Sequence, residues 1–472
     1  MPSGSRRPGS GRLGAAARVH LVAVAAILSW GVLAFGAVYP WGYLPLAAAC
    51  ALTGAGALLS RRARRAIPRP VAAALALVVL ACAVQELRLP ASVLRHVSPA
   101  APALLAQYDV SFALGGSSAG HTLSIDPVKT ATGLLLLCCL GTFLVGLSAT
   151  LDDRLTVRIV QAIVVLGGLV ALIGIAFAGN HTGKVYGVWQ PQSRGLPFGS
   201  FVNRNHFAGW MLMSTLVGFG YFTGLLTQAA RHARSLHQRV VWLSTSEGSR
   251  VIGVGAALIA MIASLLLSMS RSGIACLVFG LAIIGFRAGM KGFNARGKLA
   301  YAGGLVLLVF VLVARVGADG MADRFGTWRD DSLSGRVGAW RDAIMLIRQY
   351  PVTGTGLNTF GVAMLFHQST HLDELYAEAH NDYLQLAVEG GLLVGVPALA
   401  LIVVTLRGIR RRFREGDRGT HLQWIRVGAV TGLIAVAIQE AGDFSLQMPA
   451  NAAMFCVLAA IALHRPGSGG AA

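Results

Sequence analysis

The chain has 472 residues, of which 55% are hydrophobic and only 13% are charged. With a mean hydropathy of +0.63, this composition excludes an ordinary water-soluble domain. The formal net charge of +20 suggests a nucleic-acid-binding protein, but the positions of the basic residues give a different explanation.

Apolar stretches long enough to cross about 30 Å of hydrocarbon recur along the whole sequence. They lack the alternation typical of strands, and backbone polar groups in lipid must be paired within the segment, so each stretch is predicted to be a helix. The predicted fold class is therefore an all-α polytopic integral membrane protein, with 18–464 as a single transmembrane domain. The twelve predicted spans are 18–38, 43–60, 70–87, 130–149, 157–178, 207–228, 251–269, 273–287, 299–315, 384–406, 425–440 and 446–464.

The basic residues lie mainly on one side of this topology. About two thirds of the 40 Lys and Arg residues fall there, including the clusters at 61–65 and 410–412. This asymmetry follows the positive-inside rule and predicts a cytoplasmic N-terminus with an even number of spans. Residues 1–17, rich in Gly, Ser and Arg, are predicted to be a disordered cytoplasmic tail, and 465–472 a second cytoplasmic tail. The basicity is explained by topology, so no nucleic-acid partner is expected.

Three substantial segments are predicted on the outer face, at 88–129, 179–206 and 316–383. The first carries few charges, and its residues indicate no chemistry. The third is a large loop between the ninth and tenth helices and carries the strongest candidates for catalysis. All six cysteines lie in apolar spans instead, without metal-ligand spacing, so no disulfide is predicted.

The middle of the large loop has the pattern of a helix. Ser334 is a candidate N-cap and Pro351 a stop signal, with apolar residues at helical spacing between them. Trp340 and this apolar stripe are expected at the membrane interface, with Arg341 and Arg348 together on another face.

His380 follows this loop directly before the next span. Either Asn381 or Asp382 is a good N-cap for that span. A histidine beside a helix N-terminus is held in the neutral form, which can accept a proton from a hydroxyl group. The competing interpretation is that His380 is part of the cap, hydrogen-bonded and inert.

Two arginines on the same side suggest an anionic ligand. Arg204 stands in the run Asn203-Arg204-Asn205-His206 before a span, and Arg271 lies between two serines at a span boundary. Guanidinium groups bind pyrophosphate oxygens through paired hydrogen bonds. The alternative is that both side chains reach lipid headgroups, the commoner fate of interfacial arginines. Arg336 and Arg341 in the loop are weaker candidates for the same reason.

The carboxylates give weaker signals. Asp330-Asp331 is interpreted as a solvated turn before the helix rather than as a metal site. Glu389 and Glu440 fall near span ends, which makes neither a convincing proton relay within the membrane. No metal or other cofactor is predicted. The scarcity of ionisable groups inside spans also disfavours an ion-coupled transporter.

Taken in order, these motifs resemble the O-antigen ligase and O-antigen polymerase superfamily of bacterial surface-polysaccharide enzymes. The resemblance covers roughly 190–455, whereas the N-terminal part matches only as a helical membrane protein. The motifs that carry it are 201–209 (FVNRNHFAG), 270–273 (SRSG), 335–340 with Pro351 and 354–356 (GTG), 380–385 (HNDYLQ) with 389–391 (EGG), and, more weakly, Asp443-Phe444 with 449–451.

The resemblance implies a glycosyltransferase of the bacterial inner membrane, with a fold like the GT-C enzymes. The donor would be a glycan on undecaprenyl pyrophosphate, transferred without a metal and with inversion at the periplasmic face. Carried over to this sequence, His380 would be the base or acceptor-orienting group, and Arg204, Arg271 and, less strongly, Arg336 would bind pyrophosphate. Supporting roles are expected for Asn203, His206, Asn381 and Arg341.

The sequence leaves the acceptor open, since the motifs serve the shared donor. A ligase, a polymerase and a protein O-glycosyltransferase all fit, and glycan, lipid and protein are all candidate acceptors. From another class, the chain could be a flippase or other transporter of lipid-linked glycans in a polysaccharide export pathway. That reading predicts charges along a central cavity, whereas the polar residues here collect in the outer loops.

Overall fold

A computed structural model describes residues 13–115, 120–179, 182–192, 196–232, 242, 244–291, 332–369, 375–415 and 420–465. Most of these residues are helical, and nine of the described helices are long and apolar enough to cross a membrane. The elements are α1 (Ala15–Leu33), α2 (Pro40–Leu59), α3 (Arg61–Ala66), α4 (Arg69–Val84), β1 (Arg88–Pro90), α5 (Ala91–Val97), α6 (Ala101–Tyr108), α7 (Val110–Gly115), β2 (Gly120–Thr122), α8 (Pro127–Thr150), α9 (Asp153–Phe177), α10 (Arg204–His232), α11 (Ser246–Leu267), α12 (Arg271–Lys291), α13 (Ser332–Gln349), α14 (Phe360–His367), α15 (Asp382–Glu415), α16 (His421–Gln439) and α17 (Pro449–Leu463).

Eleven of the twelve predicted spans coincide with helices. Two of these, α4 and α17, are apolar but shorter than the other nine. The twelfth span, 299–315, lies outside the described residues, as do 316–331 with Asp330-Asp331, so the count of twelve stays a prediction. The predicted tail 1–17 extends too far, because α1 already begins at Ala15.

Helix α10 lies at the centre of the bundle. Of its most apolar stretch, 89% is buried, against 11% for α15 at the periphery. It packs against α9, α11, α12, α16 and α17. Because a central helix is fixed from all sides, the residues of its first turn are held by the whole bundle.

Helices α10, α12, α15 and α17 are among those that begin at one end of the bundle, here named the site end. Their first residues are Arg204, Arg271, Asp382 and Pro449. Helices α11 and α16 finish at the same end, where the Asp382 N–H donates to the Glu440 oxygen at 3.1 Å. The opposite end is basic, and there the Arg426 guanidinium donates to the oxygens of Arg412 and His464.

Residues 88–115 and 120–126, to which the sequence assigned no chemistry, form a cap at the site end together with 332–369 and 375–380. The strands β1 and β2 pair antiparallel, with Leu89 opposite His121, so the all-α prediction holds apart from this short ribbon. Leu94 and Leu105 from the first segment share one hydrophobic core with Leu346 and Phe360 from the second.

Helix α13 begins two residues before the predicted Ser334 cap and ends at Gln349, just before Pro351. Val337 and Ile344 of its apolar stripe are exposed, as expected for an interface. Trp340 is different, because its indole N–H donates to the Ala379 oxygen at 2.9 Å. Trp340 thus binds the segment that carries His380, and its position at the membrane interface stays a prediction.

The helical path of α15 breaks at Gly391, whose backbone angles are φ 52° and ψ −153°. The backbone groups freed by this break are paired by the turn after α13. Leu392 and Leu393 donate to the oxygens of Pro351 and Val352, and Gly356 donates to the Glu389 oxygen. A methyl group on Gly354 would lie 2.2 Å from that same oxygen, so only glycine fits. The two glycine motifs of the sequence, 354–356 and 389–391, thus pack against each other and form one joint between the turn after α13 and α15.

Candidate functional site

His380 is held between two anchored neighbours. Ala379 donates its N–H to the Gln385 side chain and accepts from Trp340. On the other side, Asn381 caps α15, since its side-chain oxygen accepts from the Tyr383 and Leu384 N–H groups at 3.0 Å. His380 itself has φ 49°, in the left-handed region that side-chain-bearing residues seldom occupy and that is enriched at functional sites.

The His380 ring is not part of this cap. Its Nδ1 is buried without a hydrogen-bond partner in the described part of the chain. Burial first, and the Arg336 charge second, lower the pKa of His380 from 6.5 to about 4. The ring is therefore neutral at pH 7, as the sequence predicts, but by desolvation rather than by the helix terminus.

Phe444 joins His380 to a second histidine. The rings of His380 and His206 both meet the Phe444 ring edge to face, with centroids 4.8 and 4.6 Å away. His206, in the first turn of α10, is buried, and neither ring nitrogen has a hydrogen-bond partner among the described residues. Its Nε2 lies 3.8 Å from the Asp443 carboxylate. Asn451 holds the turn by donating to the His206 oxygen at 3.0 Å.

Asp443 and Arg336 supply opposite charges to this group. Asp443 is fully buried, and burial raises the pKa of its carboxyl from 3.8 to about 6, against opposing effects of the Phe444 N–H and Arg336. Arg336 thus acts electrostatically on both His380 and Asp443. Of the two arginines proposed on α13, Arg336 reaches the site, whereas Arg341 lies on the exposed face of the helix.

Arg204 and Arg271 are the first residues of the neighbouring helices α10 and α12. A methyl group on Gly273 would lie 2.7 Å from the Ala208 side chain, so the first turns of α12 and α10 are in direct contact. Asn203 shapes the entry to α10, because its side-chain oxygen accepts the Asn205 N–H at 2.9 Å. The structure therefore brings both arginines to adjacent helix N-termini, whose dipoles favour anions.

Residues 256–399 match the family model described as O-antigen ligase. This match covers less than a third of the chain and supports its resemblance to the O-antigen ligase superfamily. Comparison with curated proteins finds no match. The matched segment contains Arg271, Arg336 and His380, whereas Arg204 and His206 lie before it. Together with the apolar helices, the family supports a multi-pass bacterial membrane protein with a role like that of glycan ligases or polymerases.

A network of carboxyl and amide groups surrounds the His380 segment. The Gln385 amide donates to Glu378 at 2.6 Å and to Glu389 at 3.1 Å. A second amide, Gln447, donates to Asp382 at 2.7 Å. Glu440 accepts from Ser445. Glu389 and Glu440, which the sequence shows only near span ends, are both buried at the site end.

Several residues of the candidate site were not predicted from the sequence. In the sequence, Phe444 and Asp443 show only a weak resemblance to a family motif, and nothing in their spacing links them to His380. Gln85, at the end of α4, is buried and donates to the Thr353 and Glu389 oxygens at 2.8 and 2.7 Å. Its oxygen also accepts the Leu357 N–H, so Gln85 ties the cap to α15.

Proposed function

We propose that this chain is a glycosyltransferase of the bacterial inner membrane that moves a glycan from undecaprenyl pyrophosphate to an acceptor hydroxyl. One observation carries the proposal: a neutral His380 with a free ring nitrogen shares a site with the first turn of α10. That turn holds Arg204 and touches the α12 turn that begins with Arg271.

In the proposed reaction, the acceptor oxygen forms a bond to the anomeric carbon of the donor sugar. The bond from that carbon to the pyrophosphate oxygen breaks, and the electron pair leaves with the pyrophosphate. A single displacement of this kind inverts the configuration. The acceptor proton passes to the imidazole of His380. We also propose that this transfer proceeds without a metal ion.

The arginines stabilise the leaving group. Arg204 and Arg271 bind the pyrophosphate oxygens, assisted by the N-termini of α10 and α12. Charge that develops on the leaving oxygen is thus met by fixed donors, the largest single contribution in many enzymes. With a pKa of about 4, His380 is a weak base, so it takes the proton late, once bond formation has made the hydroxyl acidic.

We further propose twelve spans, a GT-C-like fold and a site end that faces the periplasm. Nine helices, the two shorter apolar helices α4 and α17, and the predicted span 299–315 together account for twelve. The basic clusters of 61–65 and 410–412 belong to the end opposite the site, which the positive-inside rule assigns to the cytoplasm.

Reconstitution tests this function and the choice between ligase and polymerase. Purified protein in nanodiscs receives the undecaprenyl-pyrophosphate-linked repeat unit as its only sugar substrate, and products are separated by size. Wild type is compared with His380→Ala and with His96→Ala, which removes an exposed histidine of α5. Longer glycans made by wild type and His96→Ala, but not by His380→Ala, identify a polymerase.

Transfer that requires an added lipid or protein acceptor identifies a ligase instead. If no donor is consumed under any condition, the glycosyltransferase proposal fails, and the transporter reading gains support. If His380→Ala transfers glycan as well as wild type, the chain is a glycosyltransferase but His380 is not its base, and that part of the proposal fails.

A further inference from the structure

A pocket lies beside the segment that carries His380, between the start of α8, helix α14 and the first turns of α15. Its cavity volume is about 150 Å³. One side is charged or polar and the other is apolar, and neither side belongs to α10 or α12. The lining residues used here are Lys129, Phe360, Leu365, Leu375, Glu378 and Gln385.

The polar side offers both a hydrogen-bond acceptor and a hydrogen-bond donor. Glu378 accepts from the Gln385 amide with one carboxyl oxygen. Lys129 stands exposed in the first turn of α8, close enough for its charge to act on Glu378. A ligand with several hydroxyl groups can donate to the carboxylate and accept from the ammonium group.

The apolar side is formed by Phe360, which is buried, and by Leu365 and Leu375, which are 59% and 53% exposed. Exposed leucines around a concave surface favour a ligand with an apolar face. An alkyl chain would satisfy this side, but it would leave the Glu378 carboxyl group and the Lys129 charge desolvated without partners. A sugar ring, with hydroxyls at its rim and C–H groups on its faces, satisfies both sides.

The pocket is joined to the catalytic segment by covalent connection and by hydrogen bonds. Glu378 precedes His380 by two residues, a distance of about 7 Å along an extended chain. Gln385 bonds Glu378 with its amide nitrogen and the Ala379 N–H with its oxygen. A sugar in the pocket therefore lies next to whatever reacts at His380.

We propose that this pocket binds a sugar residue of the acceptor glycan, an inference that rests on the proposed function. The arginines proposed for the donor pyrophosphate open α10 and α12, whereas the pocket is built from α8, α14 and α15. Donor and acceptor thus approach His380 from different elements. The acceptor is then a glycan rather than a protein side chain or a bare lipid.

Binding is tested without turnover, in nanodiscs and in the absence of donor. Saturation-transfer NMR is recorded with methyl glycosides of glucose, galactose and N-acetylglucosamine. Leu365→Trp fills the pocket, and Glu378→Gln removes the ionisable carboxyl group but keeps an acceptor for Gln385. Met345→Trp, on the exposed face of α13 and outside the pocket, is the matched control. Thermal unfolding of each variant verifies that it is folded.

We expect at least one glycoside to bind wild type and Met345→Trp equally, with at least tenfold weaker binding to Leu365→Trp and a severalfold loss in Glu378→Gln. In the transfer assay, KM for a glycan acceptor should rise by similar factors, with KM for the donor unchanged. Absence of binding to wild type, or equal binding to all variants, overturns the inference. So does a rise in donor KM, which would assign the pocket to the donor.

The two proposals can fail separately. If glycosides bind in the pocket but the wild type transfers nothing, the proposed function is wrong, while a sugar site remains. If transfer occurs through His380 but the pocket variants behave like wild type in both assays, the proposed function stands and the acceptor site lies elsewhere.

Discussion

The indole N–H of Trp340 lies 2.9 Å from the main-chain oxygen of Ala379, so α13 holds the residue directly before His380. His380 has a left-handed backbone that needs support from its surroundings. Under the proposed function, Trp340 is therefore a positioning residue that acts through the His380 backbone.

Trp340→Phe keeps an aromatic ring and deletes this donor. We expect kcat to fall about tenfold with donor KM unchanged, and the free energy of unfolding to drop by only about 1 kcal/mol, the usual value of one hydrogen bond. Steady-state kinetics and thermal unfolding are compared with those of Val337→Ala, an exposed change on the same helix. An unchanged kcat beside a lower melting temperature would mean that the bond serves stability alone.

Arg204→Ala and Arg271→Ala should each reduce transfer by two to three orders of magnitude, because losing one charge donor at a reacting oxygen costs about 3–4 kcal/mol. Lysine at either position should restore part of the rate, since it keeps the charge but not the paired geometry. The control is Arg348→Ala on the exposed face of α13. Should either variant keep most of its activity while folded, that arginine does not bind the pyrophosphate.

The pH dependence of kcat/KM should show an acid limb near 4 rather than near 6.5. The pKa of His380 is lowered to about 4, so the neutral, active form persists until the pH falls to that value. Arg336→Gln removes a charge that disfavours the imidazolium, and it should shift the limb to higher pH. Arg348→Gln should leave it in place. A wild-type limb at 6.5, or one unmoved by Arg336→Gln, would contradict the assigned electrostatics.

Gly354→Ala should destabilise the protein by more than about 2 kcal/mol or prevent its accumulation. Gly354 has φ 64°, and its new methyl group would clash with the Glu389 carbonyl, far inside van der Waals distance. Gly395→Ala, in α15 with open space around it, should be neutral or stabilising, as alanine favours helices. Melting temperatures in detergent provide the measurement. Equal effects at the two positions would refute the joint between the turn and α15.

Hydropathy was sufficient to predict the helices, because a span must pair its own backbone and exclude charge whatever its neighbours are. The Asn381 cap was likewise foreseeable, since its hydrogen bonds reach only two and three residues along the chain. The contacts around His380 were not foreseeable in this way. Gln85 bonds Glu389 across 304 positions, and no local pattern encodes such a contact.

Trp340 illustrates a second limit of prediction from sequence. Its helical spacing correctly predicts a helix, but an indole at an interface and an indole bonded to a loop share the same sequence signature. Phe444 similarly gives no periodic signal, although two histidines pack on its ring.

Phe444 also limits which fragments of the chain can be expressed with the site intact. It contacts His206 before the matched segment 256–399 and His380 within it, and Phe444 itself lies after that segment. Expressed alone, 256–399 would leave His380 without the ring against which it packs and without the central helix beneath it. The part of the sequence by which the family is recognised is thus not an excisable module, and minimal fragments of this protein must retain both flanks.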